Sequence, residues 1–398
     1  MRIAHFCDSH EGRPDGVSRS AALTVSLLRA AGHEVDLVHP GPLLTRSAEA
    51  GRVRSIPVPR RQVRVALPSP RPPLTGPPLT GPPDVIHAHT VGPIGMTGFR
   101  LAERWRVPLV MTWHTDLLAY ADHFPEIPTG AAWCARQLRL GWSAAEFLEL
   151  TRPGAVRRHR LAALGQAMFA RLAVAIAPSP KTAAGFADFA PLPPVCVLPT
   201  PVLPVVTVPL ARLKRPGAVV LSVGRASAEK NPELLLQAFT HLRRTVPDAR
   251  LVMLGVRQAR AALCRRIAEL DLAASVEMLP PVPPGEVTAY YRAADVLAFS
   301  STTDTQSLVL AEAEATGLPV VAADPQLAER PGGGPPRPTC PPEPAAFAAA
   351  LHRMLTDATL RAEVIDAGLA ATAAYPPELF LSRLVEVYAR SRTAELPA

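Results

Sequence analysis

Short apolar runs alternate along the chain with longer segments in which apolar residues recur every three or four positions. The short runs favour buried strands, and the longer periodicity favours helices with one apolar face. In the first half of the chain, strands are predicted at residues 2–7, 34–39, 84–89, 108–113, 174–179 and 195–199. Helices are predicted at residues 17–31, 93–105, 129–150 and 155–172, with one more before the last of these strands.

The second half repeats this alternation. Strands are predicted at residues 218–224, 249–255, 275–280, 295–300 and 318–323. Helices are predicted at residues 231–246, 258–270, 285–294, 306–315, 345–355, 358–373 and 378–392. Strands that alternate with helices form parallel sheets covered by helices on both faces. The predicted fold class is therefore α/β, with two doubly wound, Rossmann-like domains.

Two proline-rich segments interrupt the alternation. Residues 50–83 carry six arginines and no acidic residue, and end in two Pro-Leu-Thr-Gly-Pro copies, which predicts an extended surface loop. A solvated insertion is the simpler interpretation, and an arm that contacts an anionic acceptor or membrane surface is the alternative. Residues 192–216 predict a hinge, which places the domains at 1–200 and 201–376, with a final helix at 377–398.

Composition narrows the classes of partner. Hydrophobic residues make up 48% of the chain, and the formal charge of +8 favours anionic partners. An aromatic content of 5% argues against single-stranded nucleic acid, because such sites stack bases on aromatic rings. Five scattered cysteines without a Cys-x-x-Cys pair predict a reducing cytoplasm. The first residues predict a strand rather than a signal peptide, and no apolar run approaches the ~20 residues that span a bilayer.

Candidate chemistry lies in residues 301–319, between two predicted buried strands. A polar turn there opens a helix, whose unpaired N–H groups and dipole favour an anion. Asp304 precedes this helix and Glu312 lies within it, eight positions later (312 − 304 = 8). Arg225 and Lys230 follow the first strand of the same half, and a guanidinium beside an ammonium suits a diphosphate. These residues predict a site for a diphosphate.

The motifs that contain these residues resemble those of the retaining glycosyltransferases of family 4. Val223-Gly224-Arg225 with Glu229-Lys230-Asn231-Pro232 is similar to the family's glycine–arginine and lysine–asparagine–proline motif. The stretch from Asp304 to Glu312, with the Gly317-Leu-Pro-Val-Val that follows, resembles its E-x7-E motif. Further similarities are Gly32-His33-Glu34-Val35, Asp84-Val-Ile-His-Ala-His89 and His114-Thr115-Asp116.

The resemblance spans nearly the whole chain and implies the GT-B fold. In that fold two Rossmann-like domains face a cleft, and the last helix returns to the first domain. The N-terminal domain would bind the acceptor and the C-terminal domain the nucleotide sugar.

The resemblance also implies a role for each matching residue. Arg225 and Lys230 would hold the donor diphosphate and stabilise the departing nucleotide, without a metal or other cofactor. Glu312 would bind the ribose hydroxyls, and Asp304 would contact the donor sugar. The backbone of Gln306, Ser307 and Leu308 would face the phosphates. Gly16 would let the first loop approach the phosphates closely, and His114 would lie beside the donor sugar. His114 and Asp304 are the candidate catalytic residues.

The chain departs from the family at positions implied to touch the donor. Asp304 stands where Glu is usual, and Ser307 stands where Gly is common. Asp15-Gly16 replaces a Gly-Gly pair in the first loop. Other departures are Leu279-Pro280-Pro281, Leu198-Pro-Thr-Pro201 and the Gly-Gly-Gly-Pro-Pro tract after Pro331. These differences bear on donor preference more than on the fold.

Two other chemistries fit the candidate residues less well. Asp304 and Glu312 could be the carboxylate pair of a glycosidase, but the helix-start setting and the Arg225–Lys230 pair argue against it. His87 and His89 lie on one face of a predicted strand and could begin a metal site. No cysteine or carboxylate cluster at metal spacing completes it in the sequence, so no metal is predicted.

The predicted function is hexosyl transfer with retention, from a nucleoside-diphosphate sugar to a hydroxyl group. UDP-hexose and UDP-N-acetylhexosamine are the favoured donors. The Ala/Arg/Pro-rich composition indicates a bacterial source, and a small-molecule natural product is the favoured acceptor because no Lys- and Trp-rich insertion helix is evident. The alternative is a membrane glycolipid or envelope polysaccharide precursor, with peripheral contact between the basic segment Arg157–Arg160 and the inner membrane face. A hydrolysing epimerase and a non-catalytic nucleotide-sugar binder are competing hypotheses, and the oligomeric state stays open.

Overall fold

The computed structural model contains two compact units. It describes residues 1–9, 15–41, 52–58, 63–66, 81–121, 123–124, 126–203, 217–257 and 259–393. By the density of contacts between Cα atoms, one unit comprises Met1–Thr200 with Glu378–Ala398, and the other comprises Pro201–Pro377.

The first unit is built on an eight-stranded sheet. Its strands are β1 (Arg2–Phe6), β2 (Glu34–Gly41), β3 (Arg52–Val58), β4 (Val63–Ala66), β5 (Val85–Ala88), β6 (Leu109–Thr112), β7 (Val174–Ala177) and β8 (Val195–Val197). Their order across the sheet is β4-β3-β2-β1-β5-β6-β7-β8. The antiparallel pair β3–β4 lies at one edge, and the other neighbours pair in parallel.

Helices connect the parallel strands, as the apolar periodicity predicts. They are α1 (Gly16–Ala30), α2 (Pro93–Trp105), α3 (Ile127–Gln137), α4 (Ala144–Glu149), α5 (Ala155–Phe169) and α6 (Pro180–Gly185). The single helix predicted over residues 129–150 is wrong in one respect, because α3 and α4 are separate. Ser143 begins α4 with a capping box to Glu146, and this cap starts a new helix inside the apolar pattern.

The prediction of an extended loop over residues 50–83 is wrong for two segments, because β3 and β4 lie there. Their sequences, RVRSIPV and VRVA, are rich in valine and isoleucine, the β-branched residues that strands favour. The prolines and arginines around them obscured this pattern. The first Pro-Leu-Thr-Gly-Pro copy, the first three residues of the second, Arg60, Arg61 and Arg71 lie outside the described residues.

The second unit contains a five-stranded parallel sheet. Its strands are β9 (Val219–Val223), β10 (Arg250–Leu254), β11 (Val276–Leu279), β12 (Val296–Phe299) and β13 (Val320–Ala322), in the order β11-β10-β9-β12-β13. Its helices are α7 (Pro232–Arg243), α8 (Arg260–Glu269), α9 (Pro284–Ala293), α10 (Leu308–Ala315), α11 (Pro344–Thr356) and α12 (Ala358–Ala373). Because β9 and β12 are parallel neighbours, the loops that follow them leave the sheet at the same edge.

The last helix, α13 (Pro377–Thr393), belongs to the first unit from Glu378 onward. Tyr388 on α13 is fully buried, and its hydroxyl lies 2.6 Å from His87 Nδ1 on β5. At the surface, Arg392 Nη2 lies 3.5 Å from Asp84 Oδ1. These contacts anchor α13 beside the middle of the eight-stranded sheet.

Candidate functional site

The loop after β9 leaves the sheet through a glycine and then turns tightly. Gly224 has a φ of 147°, a backbone conformation that side chains with a Cβ rarely adopt. A Cβ on Gly255, at the end of the adjacent β10, would lie 2.7 Å from the Gly224 carbonyl oxygen. The turn Ala228–Lys230 follows, and Asn231 caps α7 by accepting a hydrogen bond from the Leu234 N–H at 3.2 Å. This backbone presents the Arg225–Lys230 segment at the carboxyl edge of the sheet.

Lys230 meets Asp304 from the loop after β12. Lys230 Nζ donates a hydrogen bond to Asp304 Oδ1 at 2.5 Å, and the two side chains are 26% and 15% exposed. The sequence singled out both residues but did not pair them. The structure therefore brings together a residue predicted to bind the diphosphate and a residue predicted to bind the sugar.

Three hydroxyl groups hold the two loops together. Ser300 Oγ donates to the Lys230 carbonyl oxygen at 2.7 Å. Ser301 Oγ and Thr303 Oγ1 both donate to the Glu229 carbonyl oxygen, at 3.0 and 3.2 Å. These bonds fix the backbone of the lysine and were not predicted from sequence. The signal available was the run of hydroxyl residues directly after a buried strand.

Arg225 is the most exposed of the predicted charged ligands, with 53% of its side chain accessible. Its Nη2 lies 3.3 Å from Oε1 of Glu229, a buried carboxylate that also accepts a hydrogen bond from Ser227 Oγ at 2.5 Å. Sequence reasoning did not assign Glu229 a role. Glu229 holds one nitrogen of the Arg225 guanidinium, and the exposed remainder of the guanidinium stays accessible to an anion.

The helix predicted to begin at Gln306 begins at Leu308 instead. Ser307 precedes it with a φ of 59° and a ψ of 94°, so its backbone is not helical. Positive φ is costly for a residue with a Cβ, and glycine adopts it freely. Gln306, Ser307 and Leu308 nevertheless stand together at the N-terminus of α10, where unpaired N–H groups favour an anion.

Glu312 lies on α10, one turn beyond the helix start, and its carboxylate is oriented by a tyrosine. Tyr291 on α9 is buried, and its hydroxyl donates to Glu312 Oε2 at 3.0 Å. The sequence did not predict this contact, because α9 and α10 are brought together only by the fold.

In the first unit, His114 follows β6 and is half-buried. His114 Nε2 lies 3.2 Å from His89 Nδ1. Burial lowers the pKa of His114 to about 4, and the negative charge of Asp15 opposes that shift. The imidazole is therefore neutral near pH 7.

Gly16 begins α1 directly after Asp15, whose Oδ1 accepts a hydrogen bond from the Ser18 N–H at 2.7 Å. A Cβ on Gly16 would meet no atom within 4 Å. The domain itself therefore does not require glycine here, and the predicted close approach of phosphates stays a prediction.

Comparisons with known proteins bear directly on this arrangement. The family model described as "Glycosyltransferase Family 4" matches residues 14–204, and the one described as "Glycosyl transferases group 1" matches residues 211–370. The chain belongs to the family 4, group 1 glycosyltransferases. The two matches are separated at residues 205–210, a few residues beyond Thr200, where the first compact unit gives way to the second.

Curated relatives of this glycosyltransferase carry names that refer to a glucosyldiacylglycerol and to inositol 3-phosphate. It is 25% identical over 334 residues to an alpha-monoglucosyldiacylglycerol synthase of Acholeplasma laidlawii, which covers 81% of this chain and 80% of that protein. It is 32% identical over 255 residues to a D-inositol 3-phosphate glycosyltransferase of Kineococcus radiotolerans. That second match covers 60% of this chain and about half of the relative, 54%.

Solved structures confirm the predicted GT-B fold. Sucrose-phosphate synthase from Thermosynechococcus elongatus aligns with a TM-score of 0.69 at 18% identity, over 99% of this chain and 100% of that one. Anabaena HepE in complex with UDP-glucose aligns with a TM-score of 0.64 at 18% identity, over 98% and 99% of the two chains. At this identity the likeness concerns the fold alone.

A buried ion cluster fixes the Gly/Pro tract of the glycosyltransferase, which the sequence predicted only as a loop. Glu314 on α10 accepts from Arg330 Nε at 2.8 Å and from Arg337 Nη2 at 2.7 Å, and all three side chains are at most 4% exposed. Arg337 Nη1 also donates to the Leu327 and Glu329 carbonyl oxygens. The tract is thereby tied to the helix whose N-terminus faces the candidate donor site.

Two arginines predicted to favour a membrane are engaged inside the first unit. Arg157 donates to the carbonyl oxygens of Leu150 and Ala121, at 2.8 and 2.9 Å. Arg160 pairs with Glu146 and Glu149 and lies over the Trp142 ring. The basic segment Arg157–Arg160 therefore stabilises the packing of α4 against α5, which weakens the prediction that it binds lipid.

The histidine pair considered as a possible metal site has a third member. Ligand nitrogens of His5, His87 and His89 lie within 4.8 Å of one another, and the three residues are buried. Sequence spacing could not reveal His5, which lies on β1. A tetrahedral zinc with Zn–N bonds near 2.0–2.1 Å would hold nitrogens roughly 3.4 Å apart. Both His87 nitrogens already contact hydroxyl groups, at 2.6 Å to Tyr388 and 2.8 Å to Thr112, so the arrangement suits hydrogen bonding better than a metal.

Proposed function

We propose that this glycosyltransferase moves a hexose from a UDP-sugar to a hydroxyl group of a membrane glycolipid precursor, with retention at the anomeric carbon and without a metal. Membership of the family makes it a hexosyltransferase that uses a nucleotide sugar. The identity of the nucleotide, the stereochemistry and the acceptor belong to the proposal. The observation that carries it is the contact between Lys230 and Asp304 at the carboxyl edge of the second sheet.

The donor half of the proposal follows from charge. Departure of the nucleotide leaves negative charge on its diphosphate, and preorganised cations and N–H groups stabilise that charge best. Lys230, Arg225 and the N-terminus of α10 supply those groups within the second unit. Lys230 is balanced by Asp304 in the absence of donor, and an arriving diphosphate competes for the ammonium. Asp304 then accepts hydrogen bonds from hydroxyls of the donor sugar.

The ribose would be bound by Glu312. A carboxylate accepts hydrogen bonds from two neighbouring hydroxyls, and the contact with Tyr291 holds this one in a fixed orientation. Preorganisation of this kind lowers the entropy lost on binding. The nucleotide is thereby positioned at both ends, through its diphosphate and its ribose.

The acceptor predicted first from sequence, a small natural product, is replaced here by the alternative. The relatives described above are named for a diacylglycerol glycolipid and an inositol phosphate, which favours a lipid precursor or its head group. The surface of the first unit offers exposed Leu148 on α4 and Val156 on α5, with exposed Arg152 in the turn between them. Apolar side chains beside a cation suit the interface of an anionic bilayer.

None of the helices in the described part of the chain combines the length and the hydropathy that crossing a membrane requires. The proposed lipid contact is therefore a contact of the surface with the bilayer interface. Leu148, Arg152 and Val156 are the residues through which the proposal can be tested.

The test offers radiolabelled UDP-glucose, UDP-galactose or UDP-N-acetylglucosamine with three classes of acceptor. These are phosphatidylglycerol vesicles that contain diacylglycerol or monoglucosyldiacylglycerol, soluble inositol phosphates, and a panel of hydroxylated natural products. The expected result is an α-linked product in the vesicle lipid. Transfer only to a soluble acceptor would contradict the glycolipid proposal, and release of free sugar without acceptor would contradict transfer itself.

A matched pair of variants separates membrane contact from donor binding. Replacing Leu148 and Val156 together by Ser should lower transfer to vesicles and leave UDP affinity unchanged. The control replaces exposed Leu369, on α12 of the second unit, by Ser, and should leave both quantities unchanged. Equal vesicle activity in the double variant and the control would remove this surface from the proposal.

A further inference from the structure

Buried polar rings of the first unit form one continuous row that ends at His114. His5 on β1 is the direct cross-strand partner of His87 on β5, and His89 follows β5. Tyr388 contributes the last ring from α13. The resemblance implies a role for His114 beside the donor sugar, and the proposed function uses none of the other residues. Polar side chains are rarely buried in such number unless their hydrogen bonds are satisfied.

The row is connected by side-chain contacts throughout. From His114 inward, the contacts are His114 Nε2 to His89 Nδ1 (3.2 Å), His89 Nε2 to His5 Nδ1 (2.9 Å), His5 Nε2 to Tyr388 Oη (3.5 Å), Tyr388 Oη to His87 Nδ1 (2.6 Å) and His87 Nε2 to Thr112 Oγ1 (2.8 Å). Every imidazole except His114 thus uses both ring nitrogens within the row. We refer to these six side chains as the histidine row.

The positions of the protons in the histidine row follow from a count of hydrogen-bond donors and acceptors. Burial lowers the pKa of His5, His87 and His89 well below their ordinary value, and raises the pKa of Tyr388. The rings are therefore neutral near pH 7, and each neutral imidazole has one N–H donor and one acceptor nitrogen. Two donors or two lone pairs facing each other in a buried site would cost about 1–3 kcal/mol.

Tyr388 is buried, so its O–H must also find an acceptor, and the acceptors that its contacts offer are His5 and His87. With that requirement, two arrangements satisfy every contact. In the first, Tyr388 donates to His87, which donates to Thr112, while His114 donates to His89, His89 to His5 and His5 to Tyr388. In the second arrangement every bond is reversed: Thr112 donates to His87 and His87 to Tyr388, while Tyr388 donates to His5, His5 to His89 and His89 to His114. His114 carries its proton on Nε2 in the first arrangement and on Nδ1 in the second. The tautomer of His114 is therefore tied to the orientation of a phenol and a threonine hydroxyl at the inner end.

We propose that His5, His87, His89, Thr112 and Tyr388 are positioning residues that hold His114 in one tautomer and one ring orientation for glycosyl transfer. This inference rests on the proposed function and on the place beside the donor sugar that the family resemblance implies for His114. A histidine with Nδ1 unprotonated accepts a hydrogen bond there, and one with Nδ1 protonated donates, so the row decides which partner His114 can serve. Through the histidine row, Tyr388 on α13 thereby acts on His114.

The direct test reads tautomers by nuclear magnetic resonance. Full-length protein labelled with ¹⁵N-histidine gives long-range ¹H–¹⁵N correlations that distinguish Nδ1–H from Nε2–H. The His114 signals are assigned by their loss in His114→Gln. We expect a single His114 tautomer in the wild type. Tyr388→Phe, which removes the hydroxyl and keeps the ring, should convert His114 to a mixture or to the other tautomer.

Two further variants keep the test informative if Tyr388→Phe does not fold. Thr112→Val removes the hydroxyl at the other end with little change in volume, and His5→Gln breaks the middle of the row. Tyr375→Phe is the matched control, because Tyr375 is a buried tyrosine of the second unit. An unchanged His114 tautomer in folded row variants overturns the inference. Stoichiometric zinc in the purified protein, removable with a change in the histidine signals, also overturns it.

Kinetics then separate this inference from the proposed function. In Tyr388→Phe we expect kcat for transfer to fall about 10-fold, because a misoriented group at the reacting centre costs rate. The donor KM should stay unchanged, since Lys230, Arg225 and Glu312 are intact. A changed tautomer with an unchanged kcat would contradict a role of the histidine row in transfer, and would not affect the proposed donor site. Absence of transfer in the wild type would contradict the proposed function, while the tautomer measurement still decides the row.

Discussion

Lys230 Nζ lies 2.5 Å from Asp304 Oδ1, and the two residues come from loops that follow the neighbouring strands β9 and β12. Both side chains are mostly buried, and three hydroxyl–carbonyl bonds fix the loops against each other. The ammonium that we propose as a ligand of the donor diphosphate is thus held in place by its own surroundings. Loss of either partner leaves a charge that the surroundings must solvate.

A double-mutant cycle measures this coupling. Lys230→Met and Asp304→Asn should each lower the free energy of unfolding, and the double variant should lose less than the sum of the two. We expect a coupling of about 1 kcal/mol, since the pair is only partly buried. The same cycle on the exposed pair Arg390–Glu386 should give a coupling near zero. Additive effects for Lys230 and Asp304 would show that the contact is not formed in solution.

Ser307 predicts a stabilising substitution. Its φ of 59° is strained for serine and unstrained for glycine, so Ser307→Gly should raise the free energy of unfolding by about 0.5–1 kcal/mol. Ser307→Ala is the control, because alanine keeps the Cβ and should give no such gain. Thermal unfolding of the three proteins checks the order. A lower melting temperature for the glycine variant would mean that the serine side chain contributes a contact worth more than the strain.

The buried cluster around Glu314 predicts a large loss of stability. Glu314→Gln leaves Arg330 and Arg337 buried without their carboxylate, and breaking a buried ion pair in this way costs about 3–5 kcal/mol. The control is Glu233→Gln, which breaks the exposed pair with Arg266 and should cost about 1 kcal/mol or less. Urea unfolding of both variants gives the comparison. Similar midpoints for the two would contradict the assignment of the cluster as an anchor of the Gly/Pro tract.

The buried histidines predict acid sensitivity. Burial lowers the pKa of His114 to about 4 and those of His5, His87 and His89 well below 6.5. Below the unfolded pKa, the unfolded chain takes up protons that the folded unit refuses, so stability falls as the pH falls. Each histidine removes up to about 1.4 kcal/mol per pH unit in this window.

The measurement is the free energy of unfolding between about pH 7.5 and 5.5, a window above the ordinary carboxyl range. Burial raises the pKa of Asp8, and this carboxyl acts in the opposite direction, because the folded state takes up its proton first as the pH falls. His89→Gln has one buried histidine fewer, so its free energy of unfolding should fall less steeply as the pH falls. A wild-type stability that is flat or rises toward pH 5.5 would contradict the neutral, buried state of the row.

Local patterns predicted most of the fold. The strands and helices followed from the alternation of apolar runs and amphipathic segments, because in a parallel α/β sheet burial dictates both. The hairpin β3–β4 was missed because arginine and proline lie among its valine and isoleucine residues. The start of α10 was predicted two residues too early. The sequence Gln-Ser-Leu gives no sign that Ser307 adopts a positive φ, which delays the helix to Leu308.

The site was predicted as a set of residues but not as a set of contacts. Arg225, Lys230, Asp304 and Glu312 were named from charge, spacing and resemblance. Their partners were not, because contacts such as Tyr291 with Glu312 depend on which helices pack together. The histidine row shows the limit most clearly. His5 and His87 meet through strand register, and Tyr388 reaches His87 across 301 positions of sequence, so no local pattern contains them.

Binding of the donor by the second unit is the central claim, and a thermal-shift measurement tests it most directly. A ligand at about 100 times its Kd stabilises the folded state by roughly 2.7 kcal/mol, which raises the melting temperature by several degrees, about 5 °C or more. We predict this shift with UDP-glucose for the wild type and for the charge-matched controls Lys181→Ala and Arg244→Ala. It should be lost in Lys230→Ala and Arg225→Ala, both of which stay folded. Equal shifts in Lys230→Ala and the wild type, or no shift with any nucleotide sugar, would contradict the account.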